Sequence, residues 1–131
     1  MRLILGSIMA VSLAGCASTY PLTAGPQVPA AQGTVQAKTG DNGNTKLKLS
    51  VAHLAIPDRI TPGSSVFVVW ARAPEAQAQN LGTLRVDKDL QGTLETVTPL
   101  RNFELSVTPE ASAATPEPSG PAVLRTSINL R

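Results

Sequence analysis

Short segments in which apolar residues recur at every second position limit most strongly what this chain can fold into. The clearest of them lie at residues 46–51, 103–107 and 124–130. A period of two is typical of a β-strand that buries one face and exposes the other. Clusters of Gly, Pro, Asn and Asp separate the segments, and 11 prolines and 10 glycines leave little room for helix. The sequence therefore predicts an all-β fold.

Four further segments bring the predicted number of strands to seven. They lie at residues 33–38, 65–71, 81–86 and 92–98. Seven short strands in roughly one hundred residues predict a seven-stranded antiparallel immunoglobulin-like sandwich, which we assign to residues 33–131. The segment 65–71 is apolar on both faces, as expected of a central strand that is covered on both sides. The predicted core side chains are Leu49, Phe67, Trp70 and Phe103.

The first sixteen residues have the organisation of an export signal. A positive start, Met1-Arg2, precedes an apolar run of eleven residues, 3–13, which is well short of the roughly 20 residues that span a bilayer. The run ends in Leu13-Ala14-Gly15-Cys16, which resembles the lipobox of bacterial lipoproteins. The resemblance implies that a dedicated signal peptidase recognises Leu13, Ala14 and Gly15 and cuts before Cys16. Residues 1–15 are then a signal peptide, and the Cys16 thiol carries diacylglycerol.

Lipid on Cys16 implies attachment to a membrane of the cell envelope. One acyl chain binds only marginally, whereas the two or three chains implied by the family give a lasting anchor. Ala17 follows the cysteine, and in enteric-type sorting an Asp there would favour the inner membrane. The expected location is therefore the periplasmic face of the outer membrane. In a Gram-positive cell it would be the outer face of the only membrane.

Residues 16–32 are predicted to form a flexible tether behind the lipidated cysteine. They contain Pro21, Pro26 and Pro29 and no charged side chain. As flexible coil, such a segment reaches on the order of 20 Å. If the strands alternate in direction from Gly33, the long connections 55–64 and 109–121 are expected to face the membrane.

Charge and aromatic content argue against nucleic-acid binding. The formal net charge is +2, and removal of Arg2 with the signal leaves ten Lys and Arg against nine Asp and Glu. The aromatic residues Tyr20, Phe67, Trp70 and Phe103 are scattered, not interleaved with basic clusters as stacking platforms require. A nucleic-acid partner is therefore not expected.

The residues that could perform chemistry are few. His53 is the only histidine and continues the apolar phase of the segment 46–51, so we expect it at the edge of the core. Asp87, Asp89 and Gly92 match the start of a calcium loop, but Thr98 replaces the bidentate Glu at the twelfth position, which favours a plain hairpin. The sequence thus predicts no metal site and no cofactor.

Carboxylate pairs are the remaining option for catalysis. Glu95 and Glu104 lie on adjacent predicted strands, each on a solvated face. No catalytic residue is predicted, because a glycosidase also needs a substrate cleft.

Part of the chain resembles a second known family. The segments 67–72, 81–87 and 92–94 are similar to the extracytoplasmic β-sandwich domain of anti-sigma-K-type factors. The resemblance implies an exported sandwich. Sigma-factor binding is not carried over, because the sequence has no segment matching the cytoplasmic sigma-binding region or the membrane helix of those regulators.

Three functions from different classes remain open. The first is a non-catalytic envelope module that binds a protein or a glycan. The second is a structural or assembly lipoprotein with a permanent partner, which the apolar segment 65–71 favours if one of its faces is left uncovered. The third is a small carboxylate hydrolase. The first is preferred, because the sequence holds no recognisable catalytic set.

Overall fold

The computed structural model describes residues 17–130, which form two antiparallel β-sheets packed face to face. One short helix, α1 (Pro57–Ile60), accompanies the strands. The nine strands are β1 (Ser18–Pro21), β2 (Thr23–Ala24), β3 (Gln32–Thr39), β4 (Thr45–Ala52), β5 (Val66–Arg72), β6 (Gln79–Leu84), β7 (Gly92–Thr98), β8 (Asn102–Glu110) and β9 (Leu124–Asn129). The prediction of an all-β sandwich is confirmed. Within residues 17–130 the strand number is nine rather than seven.

The strands divide into a four-stranded sheet in the order β1-β3-β4-β7 and a five-stranded sheet in the order β2-β9-β8-β5-β6. The seven predicted strands correspond to β3 to β9. The two additional strands come from the segment that precedes β3. They place one strand on the edge of each sheet.

Side chains from the inner faces of both sheets form one core. In β4, Leu47, Leu49 and Val51 are buried while Lys46 and Lys48 are exposed, so the period-two pattern marks the buried face correctly. Leu49, Phe67 and Phe103 are buried in this core. Each such side chain contributes on the order of 1.5–3 kcal/mol through removal of apolar surface from water.

Residues 17–32 differ from the flexible tether that the sequence predicts. β1 pairs with β3 and β2 pairs with β9, so the segment crosses from one sheet to the other. Leu22, Val28 and Ala31 are buried in the core. Pro21 is tolerated because it ends an edge strand, where a missing N–H leaves no ladder bond unmade.

This N-terminal segment also reverses the predicted orientation of the domain. Because β1 runs antiparallel to β3, the described chain begins beside the turn 40–44, together with residues 73–78, 99–101 and Leu130. We call this the Ala17 end. The connections 25–31, 53–65, 85–91 and 111–123 lie at the opposite end, the far end. The two long connections are therefore remote from Ala17, not beside it.

Strand β5 is apolar on both faces because both faces are covered. Phe67, Val69 and Ala71 point into the core between the sheets. Val68 and Trp70 point outward, yet each has 0% exposure. Residues 111–122 cover them, as described below.

Candidate functional site

The predicted lipidation and signal-peptidase residues, Leu13, Ala14, Gly15 and Cys16, lie outside the described residues. The other positions singled out from the sequence can be placed. They are spread over the sandwich rather than gathered at one point.

His53 is exposed, so the expectation that it lies at the edge of the core is wrong. Strand β4 ends at Ala52, and His53 adopts a left-handed backbone conformation with φ 56°. This turn breaks the alternation, and Leu54 is buried in its place. The backbone N–H of Leu54 donates to Leu90 O at 3.2 Å, which ties the connection 53–65 to the turn 85–91.

The turn at Asp87 is closed by its own side chain. Asp87 Oδ1 accepts hydrogen bonds from the backbone N–H groups of Asp89, at 2.8 Å, and Gln91, at 3.1 Å. This is the self-capping that Asp provides in tight turns. Among residues 17–130, no group of three or more His, Cys, Asp or Glu side chains is placed to hold a metal ion.

Glu95 and Glu104 are not brought together. Their strands, β7 and β8, belong to different sheets, and each carboxylate is on the outer face of its own sheet. The body of the sandwich therefore separates the two groups. This arrangement cannot provide the paired carboxylates of a glycosidase, which flank one scissile bond.

A buried hydrogen-bond network holds the long connection against the five-stranded sheet. Trp70 Nε1 donates to Thr108 Oγ1 at 2.8 Å, and Thr108 Oγ1 donates to Glu110 Oε2 at 2.6 Å. Ser119 donates to both carboxylate oxygens, from Oγ to Oε1 at 2.6 Å and from its backbone N–H to Oε2 at 3.1 Å. Glu110 is buried. Its hydrogen-bond partners are Thr108 on the same strand, β8, and Ser119 in the connection 111–123, which the carboxylate therefore holds against the sheet.

The pKa of Glu110 reflects these contacts. Burial raises it, but the hydrogen bonds from Ser119 and Thr108 stabilise the charged form and outweigh burial, so the pKa lies below its ordinary value. On the other side of β5, Asn80 Nδ2 donates to the carbonyl oxygens of Ala113, at 2.9 Å, and Thr115, at 3.2 Å. Since β5 lies between β8 and β6, the connection crosses over its outer face. This network could not be predicted from the sequence, because the residues of its hydrogen-bonded pairs are 2 to 38 positions apart and share no motif.

The far end contains a cleft between the connection 53–65 and the edge of the five-stranded sheet. We call it the far cleft. It has a volume of about 430 Å³, and its lining residues are Ile56, Pro57, Asp58, Ser64, Ser65, Val66, Phe67, Leu84, Arg85 and Val86. Val66, Phe67 and Leu84 are its apolar lining residues from β5 and β6, and Asp58 and Arg85 are its charged ones.

The connection that forms one wall of the far cleft has a defined conformation. Asp58 Oδ1 accepts a hydrogen bond from the backbone N–H of Gly63 at 2.9 Å, and Thr61 N–H donates to Pro57 O at 2.9 Å. Ile56 lies on this wall with 42% of its surface exposed, and Leu90 on the neighbouring turn is 38% exposed.

Within residues 17–130, no helix has the length and apolar character needed to cross a membrane. No protein-family model matches the chain, and no curated protein matches it either. The functional interpretation therefore rests on the residues and their geometry.

Proposed function

We propose that the chain is a bacterial envelope lipoprotein whose sandwich is a non-catalytic binding module for an envelope protein or glycan. The anchor is lipid on Cys16, and the expected location is the periplasmic face of the outer membrane. The far cleft is the binding site. The observation that carries the proposal is the position of this cleft at the end opposite Ala17, where a membrane-held domain presents it outward.

The finer fold belongs to the same proposal. If β3 to β9 are taken as strands A, B, C, C′, E, F and G, the sheets have the orders A-B-E and G-F-C-C′. This is an immunoglobulin-like arrangement in which an extra strand extends the GFC sheet. Trp70 departs from the usual pattern, because it lies on the strand equivalent to C but faces away from the core. Pairing of β6 with β7, seen as cross-strand amide contacts by NMR, would contradict this topology.

The two other functions receive less support. An assembly lipoprotein is favoured only if the apolar outer face of β5 is free to bind a partner. That face is covered by the chain's own residues 111–122. A carboxylate hydrolase relied on Glu95 and Glu104, which lie on opposite sides of the sandwich. The similarity to anti-sigma-K-type extracytoplasmic domains supports the exported sandwich and names no partner.

The anchor is tested by replacing Cys16 with Ala in the full-length protein. We expect the wild type to carry acyl mass and to sediment with membranes, and the variant to be soluble and still folded. A wild-type protein that lacks acyl mass yet remains on the membrane would contradict the anchor.

The far cleft is tested by photo-crosslinking in the cell. A photoreactive amino acid at Ile56 probes the cleft, and the same amino acid at Ser127 is the control, because Ser127 is also exposed but lies on the outer face of the five-stranded sheet, outside the far cleft. We expect discrete adducts from position 56 and none from position 127. Retention of the protein on purified cell-wall glycan distinguishes a glycan partner from a protein partner.

A matched pair of substitutions separates binding from exposure. Ile56→Asp introduces a charge into the far cleft and should lower recovery of the partner about tenfold, equivalent to ~1.4 kcal/mol. Ser127→Asp introduces the same charge on the outer face of the five-stranded sheet and should leave recovery unchanged. Equal crosslinking from both positions, or full recovery with Ile56→Asp, would show that the far cleft is not the binding site.

A further inference from the structure

The outer face of the four-stranded sheet carries a cluster of lysines next to the point where the described chain begins. Lys38 on β3 lies opposite Lys46 on β4, and Lys48 follows two residues later on the same face. All three are exposed. We call these residues the lysine face.

Ala17 belongs to the same face. The β1–β3 register pairs Ser18 with Ala37, and its continuation by one residue puts Ala17 beside Lys38. Ala17 and the three lysines line one shallow depression of about 480 Å³. Adjacent strands are about 4.8 Å apart, so Lys38 and Lys46 lie within roughly 10 Å of the start of β1.

We infer that the lysine face binds the anionic headgroups of the phospholipid leaflet that holds the anchor, so that the domain has a fixed orientation on the membrane. This inference rests on the proposed lipidation of Cys16, which precedes Ala17 by one peptide bond. Because β1 begins at Ser18, little chain separates the acyl group from the folded sheet. Headgroup phosphates then lie within about one Debye length, ~8 Å, of the lysines, where salt screens their attraction only in part.

The distribution of charge supports this occupant. Like charges directly opposite each other destabilise a sheet, so the pairing of Lys38 with Lys46 is not explained by stability. One acidic side chain, Glu95, also lines the depression, and the face keeps a net positive charge. Each Lys near an anionic leaflet strengthens binding about fivefold. The far cleft, at the other end of the sandwich, then points away from the headgroups.

The experiment uses the full-length acylated protein in phosphatidylcholine vesicles with or without phosphatidylglycerol. Cys16 is the only cysteine in the sequence and is acylated, so a nitroxide can be placed at one introduced cysteine. Gln36→Cys reports on the lysine face. Ser127→Cys is the control, exposed on β9 on the outer face of the other sheet. A relaxation agent chelated to the lipid headgroups measures how close each label lies to the membrane.

We expect relaxation at position 36 to exceed that at position 127 severalfold in vesicles containing phosphatidylglycerol. The difference should disappear without phosphatidylglycerol, and also in the variant Lys38→Glu/Lys46→Glu/Lys48→Glu. Equal relaxation at both positions in an acylated protein would overturn this inference and leave the proposed function intact. Contact that survives charge reversal, or crosslinking of the lysine face to an acidic protein in place of lipid, would also overturn it. Absence of acyl mass on the wild type would overturn the anchor and this inference together.

Discussion

The outer face of the four-stranded sheet is open to solvent and carries Lys38, Lys46 and Lys48, whereas the outer face of β5 in the five-stranded sheet is covered at Val68 and Trp70 by residues 111–122 of the same chain. In β4 the outward positions hold lysines, and in β5 they hold Val68 and Trp70. The covered region adds a second small core, in which Val68 and Trp70 have 0% exposure. The open face buries none of its lysines and remains accessible to solvent.

The covered face should respond most strongly to loss of Trp70. Trp70→Ala removes a fully buried indole and its hydrogen bond to Thr108, so we expect the free energy of unfolding to fall by about 3–5 kcal/mol. Val97→Ala, on the open face, should change it by less than about 0.5 kcal/mol. Urea unfolding followed by circular dichroism measures both. Similar losses for the two variants would mean that residues 111–122 do not seal the face.

Glu110 tests how that cover is held in place. Glu110→Gln replaces one of the two carboxylate oxygens, both of which accept hydrogen bonds, with an amide NH₂ group that donates. Thr108 or Ser119 then loses its hydrogen-bond acceptor. The expected loss is about 1–3 kcal/mol, with faster amide hydrogen exchange in residues 111–122. Glu104→Gln, on the exposed part of β8, is the control and should be nearly neutral. Unchanged exchange in Glu110→Gln would show that the network does not restrain the connection.

Strands β3 to β9 of the two sheets could be predicted from the sequence, because the alternation of apolar and polar residues indicates which side chains are exposed to water. The two strands within residues 17–32 could not be predicted, because Pro21, Pro26 and Pro29 are typical of a flexible tether. The period-two spacing of Tyr20 and Leu22 was the missed signal. Leu22 is buried, and Tyr20 packs against the core and donates from its hydroxyl to Asn129 O at 3.1 Å.

The candidate sites were harder to predict than the strands. The far cleft depends on how the connection 53–65 folds against β6, and the lysine face depends on the register of β1, β3 and β4. Both are set by contacts between residues distant in the chain. The error at His53 has a local origin, because a left-handed backbone conformation at this residue ends the alternation that the prediction extends to it.

The covered face should also be sensitive to acid. The pKa of Glu110 is lowered by folding, so its contribution to stability is complete above the pKa of an unfolded Glu and is lost as pH falls through the lower folded value. Between about pH 6 and about pH 3, the wild type should lose more stability than Glu110→Gln. Urea midpoints at the two pH values provide the comparison. Equal losses would indicate that Glu110 titrates alike in the folded and unfolded protein.

The open face should show the smallest effect, and in the opposite direction. Lys38→Gln removes the repulsion with Lys46 across the β3–β4 pair, so we expect a gain in the free energy of unfolding of about 0.2–1 kcal/mol. The gain should fade at about 1 M salt, where the Debye length is about 3 Å. Lys88→Gln in the exposed turn between Asp87 and Asp89 is the matched control, and it should give no gain, because its neighbours are acidic. A loss of stability in Lys38→Gln would mean that the lysines are held by favourable contacts within the sheet, and the charge-cost argument for a membrane role would then fail.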